Sequence, residues 1–262
     1  MDLDLTGKHA LVCGASQGIG LASAIELAKL GASVTLLARR ADVLEQLFTQ
    51  LAKTHKAQRH GWIAADSGDT PTLRAKVEAL VSALPVHILI NNSGGPPPGT
   101  LRGANEDAFL AAYRAHLLAN QTLAETVVPG MLLDGYGRIV NIISTSVKEP
   151  IAGIGVSNVT RGAVASWAKT LARELAPHGI TVNNVLPGST HTPRIDQIIA
   201  ARSQKTGGSR EAVTAEMEAE IPMGRFADPS ETAAAVAFLA SPAASYITGI
   251  NLPVDGGRTR SL

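Results

Sequence analysis

Cysteine is almost absent from this chain. Cys13 is the single one in 262 residues, so no internal disulfide can form, and the usage fits a reducing cytoplasm. Aromatic residues are scarce at 3%, which removes the stacking platforms on which single-stranded nucleic acid is held. Charge of one sign is lacking too: 23 Lys and Arg stand against 22 Asp and Glu, a formal net charge of +1, and nothing in that balance draws the chain to nucleic acid or an anionic membrane. No apolar run approaches the roughly 18 residues of a membrane span. Met1-Asp2-Leu3-Asp4 is acidic with no long apolar run behind it, so neither a transmembrane helix nor a signal peptide is expected. The seven histidines and one cysteine show no metal-ligand spacing. These absences predict a soluble, cytoplasmic protein without a metal.

What is present is a globular composition, 45% hydrophobic and 17% charged, and a strand–helix alternation that runs from end to end. Short apolar runs predict strands at Ala10–Cys13, Ser33–Leu37, His60–Ala64, Ile88–Asn91, Arg138–Ile143, Thr181–Leu186 and Ile250–Pro253. Helical periodicity fills about 18–30, 41–56, 70–84, 105–133, 158–176 and 229–240. Such alternation means a doubly wound parallel α/β sheet of about seven strands, Rossmann-like, with helices on both faces. One domain over 1–262 is expected, with no repeat or linker. The polar stretch from Thr190 to Met223 interrupts the sheet pattern, and an insertion at about 190–223, beyond a strand's carboxyl end, is placed as a lid over a ligand.

The first strand runs into Gly14-Ala15-Ser16-Gln17-Gly18-Ile19-Gly20, and a helical pattern leads out. Strand, glycine turn and helix together form a phosphate site. Gly14 makes the tight turn, Gly18 lets the backbone approach a pyrophosphate, and Gly20 lets the helix pack closely. The helix start then offers free N–H groups and a positive dipole end.

With further motifs in order, the chain resembles the short-chain dehydrogenase/reductase family over essentially its whole length, and its 3-oxoacyl-carrier-protein reductases in particular. Cys13–Gly20 is similar to the family's Thr-Gly-x-x-x-Gly-x-Gly loop, with Cys for Thr. Asp66, followed by Ser67, matches the acidic residue that meets the adenine. Asn91-Asn92-Ser93-Gly94 resembles the Asn-Asn-Ala-Gly segment beside the adenosine ribose. Gly137–Ser144 ends on the catalytic serine. Pro187-Gly188, with Thr192, matches the segment that closes over the nicotinamide, and Asp255-Gly256-Gly257 is the usual C-terminal signature. The resemblance also implies a homotetramer or dimer built on the long helices.

The choice of nicotinamide cofactor is a charge question at the end of the second strand. An acid there would hold the free ribose of NAD and repel a 2′-phosphate. This chain reads Leu37-Ala38-Arg39-Arg40, and an arginine fork suits a phosphate. With Ser16 as a further donor, NADP(H) is expected over NAD(H).

The catalytic set departs from the family. Where Tyr-x-x-x-Lys should stand the chain has Ser157-Asn158-Val159-Thr160-Arg161, and the position of the helical asparagine is His116. Ser144 alone is kept. An aliphatic hydroxyl is a far weaker acid than a phenol whose pKa of about 10 is pulled down by a nearby cation. Arg161 keeps a fixed positive charge able to hydrogen-bond a ribose, yet passes no proton. His116 is the candidate replacement acid, since an imidazole ordinarily titrates near physiological pH; a packed helix histidine is the alternative. His191 is a second possible donor, Lys148 a possible selector of acidic substrates, and Tyr113 a packing residue. The residues therefore support an NADP(H)-dependent oxidoreductase of a carbonyl or alcohol with rearranged proton delivery. Reduction of an activated double bond and a cofactor-binding sensor or scaffold are the alternatives.

Overall fold

Buried on both faces, His9–Cys13 form β1, and the other strands flank it in parallel. In the computed structural model, which describes residues 1–261, the chain continues as α1 (Gly18–Lys29), β2 (Ser33–Ala38), α2 (Ala41–Phe48), β3 (Gly61–Ala64), α3 (Thr70–Ala83) and β4 (Ile88–Asn91). It goes on through α4 (Glu106–Tyr113), a π-helical turn (Arg114–Leu118), α5 (Ala119–Asp134), β5 (Gly137–Ile142), α6 (Gly155–Leu175) and β6 (Ile180–Pro187). The last elements are α7 (Pro193–Thr206), α8 (Arg210–Ala219), α9 (Pro229–Ala240) and β7 (Asn251–Val254). The seven strands lie in the order β3-β2-β1-β4-β5-β6-β7, so the chain winds outward from β1 and then restarts beside it at β4. That reversal opens a crevice beyond the carboxyl ends of β1 and β4, where α/β sheets hold ligands.

Alternate side chains of each strand enter opposite cores. Ala10, Val12, Val34, Leu36, Ile88 and Ile90 pack under α1 and α9. Leu11, Leu37, Leu89, Ile139 and Val182 pack under α3, α5 and α6. Each fully buried Leu, Ile or Val contributes about 1.5–3 kcal/mol, so the two faces fix strand register tightly.

Several element bounds differ from those read in the sequence. The second helix, expected to reach 56, stops at Phe48, because the buried Gln58 side chain gathers the next stretch of chain into a turn. Its Nε2 donates to Ala28 O at 2.7 Å and Ala32 O at 2.8 Å, and its Oε1 accepts from Thr54 N at 2.6 Å. The helix expected over 105–133 is one rod interrupted by the π turn, and the one expected from 158 starts at Gly155. Residues 190–223 carry α7 and α8, which join Phe226 around an apolar cluster of their own formed by Ile195, Ile199, Val213 and Ile221.

Candidate active site

Three glycines shape the crevice, each for a different reason. Gly14 turns at φ +59°, and a Cβ there would lie 2.6 Å from Asn92 Nδ2. A Cβ on Gly20 would run into Gly14 O, so α1 sits directly on the turn. Gly18, at φ +57°, faces Thr192, whose methyl carbon stands 3.1 Å from where its Cβ would be. Asn92 Nδ2 lies 3.4 Å from both Cys13 O and Gly14 O, tying β4 to the loop. No side chain caps the first N–H groups of α1, and its first turn has no acid, which leaves a positive helix end open to an anion. A dinucleotide's pyrophosphate fits this cradle. Cys13 beneath it is buried, and desolvation pushes its thiol up to about 12, so it serves as packing.

Further along the strand ends, Arg39 and Arg40 are both exposed after β2. Arg40 Nη2 lies 3.4 Å from Gln17 Oε1, while Arg39 has no side-chain partner among the described residues. Asp66 is exposed after β3 and accepts from Gly68 N at 2.8 Å, with Ser67 half-buried beside it. Gly94 has nothing near the position a Cβ would take. Gly188 at the end of β6 donates to Val254 O, and a Cβ there would strike Asp255. Thr192 starts α7 and donates to Thr190 O at 3.3 Å. The cofactor residues expected from the sequence thus lie together at the carboxyl ends of the strands.

At the other end of the crevice Ser144 follows β5, its Oγ accepting from Ser146 N at 3.1 Å. Arg161 reaches back from α6, donating from Nη1 to Ile143 O at 2.6 Å and from Nε to Ser157 Oγ at 3.2 Å. Burial and the nearby Arg194 push its pKa down to about 10, which leaves it cationic at neutral pH. The expectation that His116 titrates near neutrality is corrected: its ring is buried on the π turn, and desolvation together with Arg161 pushes its pKa down to about 3. Its Nδ1 pairs with Ser93 Oγ at 2.7 Å. His191 is exposed, its ring edge-on to Phe226 at 5.4 Å between centroids. Lys148 is half-buried at the end of the turn after Ser144. Sequence reasoning missed Arg194. Its Nη2 donates to Pro96 O at 2.9 Å, and no local motif announces a side chain that crosses from α7 to the loop after β4.

A family model described as Enoyl-(Acyl carrier protein) reductase matches residues 14–259. The chain belongs to the short-chain dehydrogenase/reductase family. Among curated members of this family, the NADPH-dependent reductase BacG of Bacillus subtilis is 33% identical over 261 residues, 98% of this chain and 100% of the relative. The 3-oxoacyl-[acyl-carrier-protein] reductase FabG of Vibrio cholerae is 34% identical over 256 residues, covering 97% and 98%. Among solved short-chain dehydrogenase/reductase structures, L-sorbose reductase from Gluconobacter frateurii, complexed with NADPH and L-sorbose, superposes with a TM-score of 0.92 at 33% identity, each chain covered in full.

Proposed function

We propose that this protein is an NADP(H)-dependent oxidoreductase that moves hydride between the cofactor and a carbonyl or alcohol, with proton delivery that does not use a tyrosine. The open cradle at Gly14–Gly20, beside a β2 end that offers Arg39 and no acid, carries this reading. The NADPH named with several relatives supports it. Arg39 would fork the 2′-phosphate, Asp66 and Ser67 would face the adenine, and Asn92, Ser93 and Gly94 would border its ribose. Pro187, Gly188 and Thr192 would close over the nicotinamide, with α7 and α8 as the lid.

A bound nicotinamide supplies the hydride. Ser144, whose Oγ already accepts from Ser146 N, has its O–H free to donate to a substrate oxygen. Arg161 takes a lone pair of Ser157 Oγ, so the Ser157 O–H is also left to donate, polarised by the adjacent cation. Negative charge that develops on the substrate oxygen is stabilised by this buried guanidinium and two hydroxyls, fixed in place before reaction. The proton then arrives from water by way of Ser157, because His116 is neutral.

Titration with NADPH and NADH, followed by reduced-nicotinamide fluorescence, tests the assignment. NADPH should bind at least about tenfold tighter, as one lost charge-assisted contact implies, and Arg39→Glu should abolish that preference. Equal affinity for both nucleotides overturns the NADP(H) assignment. Tight binding without turnover on ketones, quinones and 3-oxoacyl thioesters overturns the oxidoreductase reading in favour of a cofactor sensor.

A further inference from the structure

Two guanidinium groups converge where the β4 loop meets α6 and α7, and neither has an acid. The Nη2 atoms of Arg161 and Arg194 each lie 3.5 Å from the position a Cβ would take on Gly95, so the two nitrogens are at most about 7 Å apart. Neither arginine forms an ion pair among the described residues. Arg161 spends Nη1 and Nε on Ile143 O and Ser157 Oγ, and Arg194 spends one N–H on Pro96 O. That leaves Nη2 of Arg161 and most of the Arg194 fork without a protein acceptor. Like charges this close, partly desolvated, raise the free energy of the empty site, and an anion between them relieves it. Gly95 supplies the room: any side chain there would project between the two forks.

Beside this cationic end runs a cleft of about 310 Å³. Its lining is mostly apolar, with Pro96–Pro98, Ala104, Ala108 and Val156, and Thr100 and Asn105 are its polar members. Pro96 belongs to both regions, since its carbonyl accepts from Arg194 and the residue lines the cleft. The volume suits a small organic body of modest size.

We propose that the substrate is a carboxylic acid with an apolar body, its carboxylate bound between Arg194 and Arg161 over Gly95 and its body in the Pro96–Pro98 cleft. A carboxylate with charge-assisted bonds of about 2.7–2.9 Å on either side spans the gap between two such donors. Arg161 also holds Ile143 O and Ser157 Oγ, so the carboxylate sits next to the reacting carbon rather than at the phosphate end near Gly18. This proposal rests on the oxidoreductase reading for the identity of the ligand as substrate, and its test separates the two.

The test uses the full chain and two probes of one shape, 3-phenylpropionate and its neutral amide, titrated calorimetrically with NADP⁺ present. Expected is binding of the acid at least tenfold tighter than the amide. Arg194→Met should weaken the acid about tenfold or more and change NADPH affinity less than twofold, and Arg194→Lys should recover part of the loss. An unchanged thermal melt confirms that both variants fold. Equal binding of acid and amide, or no binding of either, overturns the proposal. So does an Arg194→Met variant that loses NADPH affinity while the acid is untouched, which would give the pair to a cofactor phosphate. Acid binding that depends on Arg194 in a chain with no affinity for NADPH leaves the carboxylate site standing and overturns the oxidoreductase reading alone.

Discussion

A neutral imidazole at the position of His116 changes what pH can do to the reaction. Burial and Arg161 hold the group's pKa at about 3, down from the ordinary 6.5. Above that value the imidazolium fraction falls tenfold for every pH unit, so a mechanism that needs it would slow by the same factor from pH 5 to pH 8. With the proton taken from water through Ser157, kcat/KM should carry no such slope over that range. His116→Asn keeps an acceptor and a donor for Ser93 Oγ and should retain activity within about threefold. A tenfold decline per pH unit in the wild type, abolished in His116→Asn along with at least 10²-fold of the rate, would restore His116 as the acid. The Ser93–His116 contact at 2.7 Å ties the ring to the β4 loop.

Among the elements, the sheet is crossed by a row of amides that no single stretch of sequence displays. Asn91, Asn141, Asn184 and Asn251 occupy successive register positions on β4, β5, β6 and β7. Each Nδ2 donates to the next Oδ1 at 2.8, 2.9 and 2.8 Å. Asn141 in the middle is fully buried, so Asn141→Leu removes both of its bonds in the row and its 3.4 Å bond to Asn183 O, and leaves Asn91 Nδ2 and Asn184 Oδ1 without that partner. At about 1–3 kcal/mol per buried unsatisfied group, it should cost roughly 2–4 kcal/mol in urea unfolding, read as a lower midpoint at unchanged slope. A loss under about 0.5 kcal/mol would show that water replaces the row. Other elements were legible from the chain alone. The turn at Gly14–Gly20 and the positions of Ser144 and Pro187–Thr192 just beyond strand ends could be read because each is set by neighbours in the chain. The strands could be read because burial on both faces leaves unalternating apolar runs. The amide row depends on register between strands 40–70 residues apart, the early end of α2 on Gln58 folding back to Ala28 and Ala32, and the Arg161–Arg194 pair on α7 crossing the crevice. Those are properties of the topology, and one-dimensional patterns do not carry them.

On the scale of the molecule, two buried histidines at opposite ends of the sheet tie folding to pH. His9, at the amino end of β1, donates from Nδ1 to Pro85 O at 2.9 Å and accepts at Nε2 from the Thr35 hydroxyl at 2.8 Å, since a carbonyl can only accept. Desolvation, with His87 nearby, pushes its pKa down to about 4, and His116 lies at about 3. The unfolded chain binds protons at both sites from about pH 6.5 downward, whereas the folded chain does so only near pH 4 and pH 3. Stability is therefore whole above about 6.5 and is lost progressively as pH falls toward 3. At about 1.36 kcal/mol per pKa unit, each histidine withdraws on the order of 3 kcal/mol by pH 4, a large share of the 5–15 kcal/mol a domain commonly has. The thermal midpoint should drop steeply between pH 6.5 and 4, and His9→Gln combined with His116→Asn should flatten that drop whatever it does to the midpoint at pH 7. A midpoint that is the same at pH 7 and pH 4.5, or a double variant with an unchanged slope, would place the acid response elsewhere. His9 lies at the amino end of β1 and His116 is bonded to Ser93 just beyond the carboxyl end of β4, so acid should unfold the sheet and the Gly14–Gly20 turn in one transition.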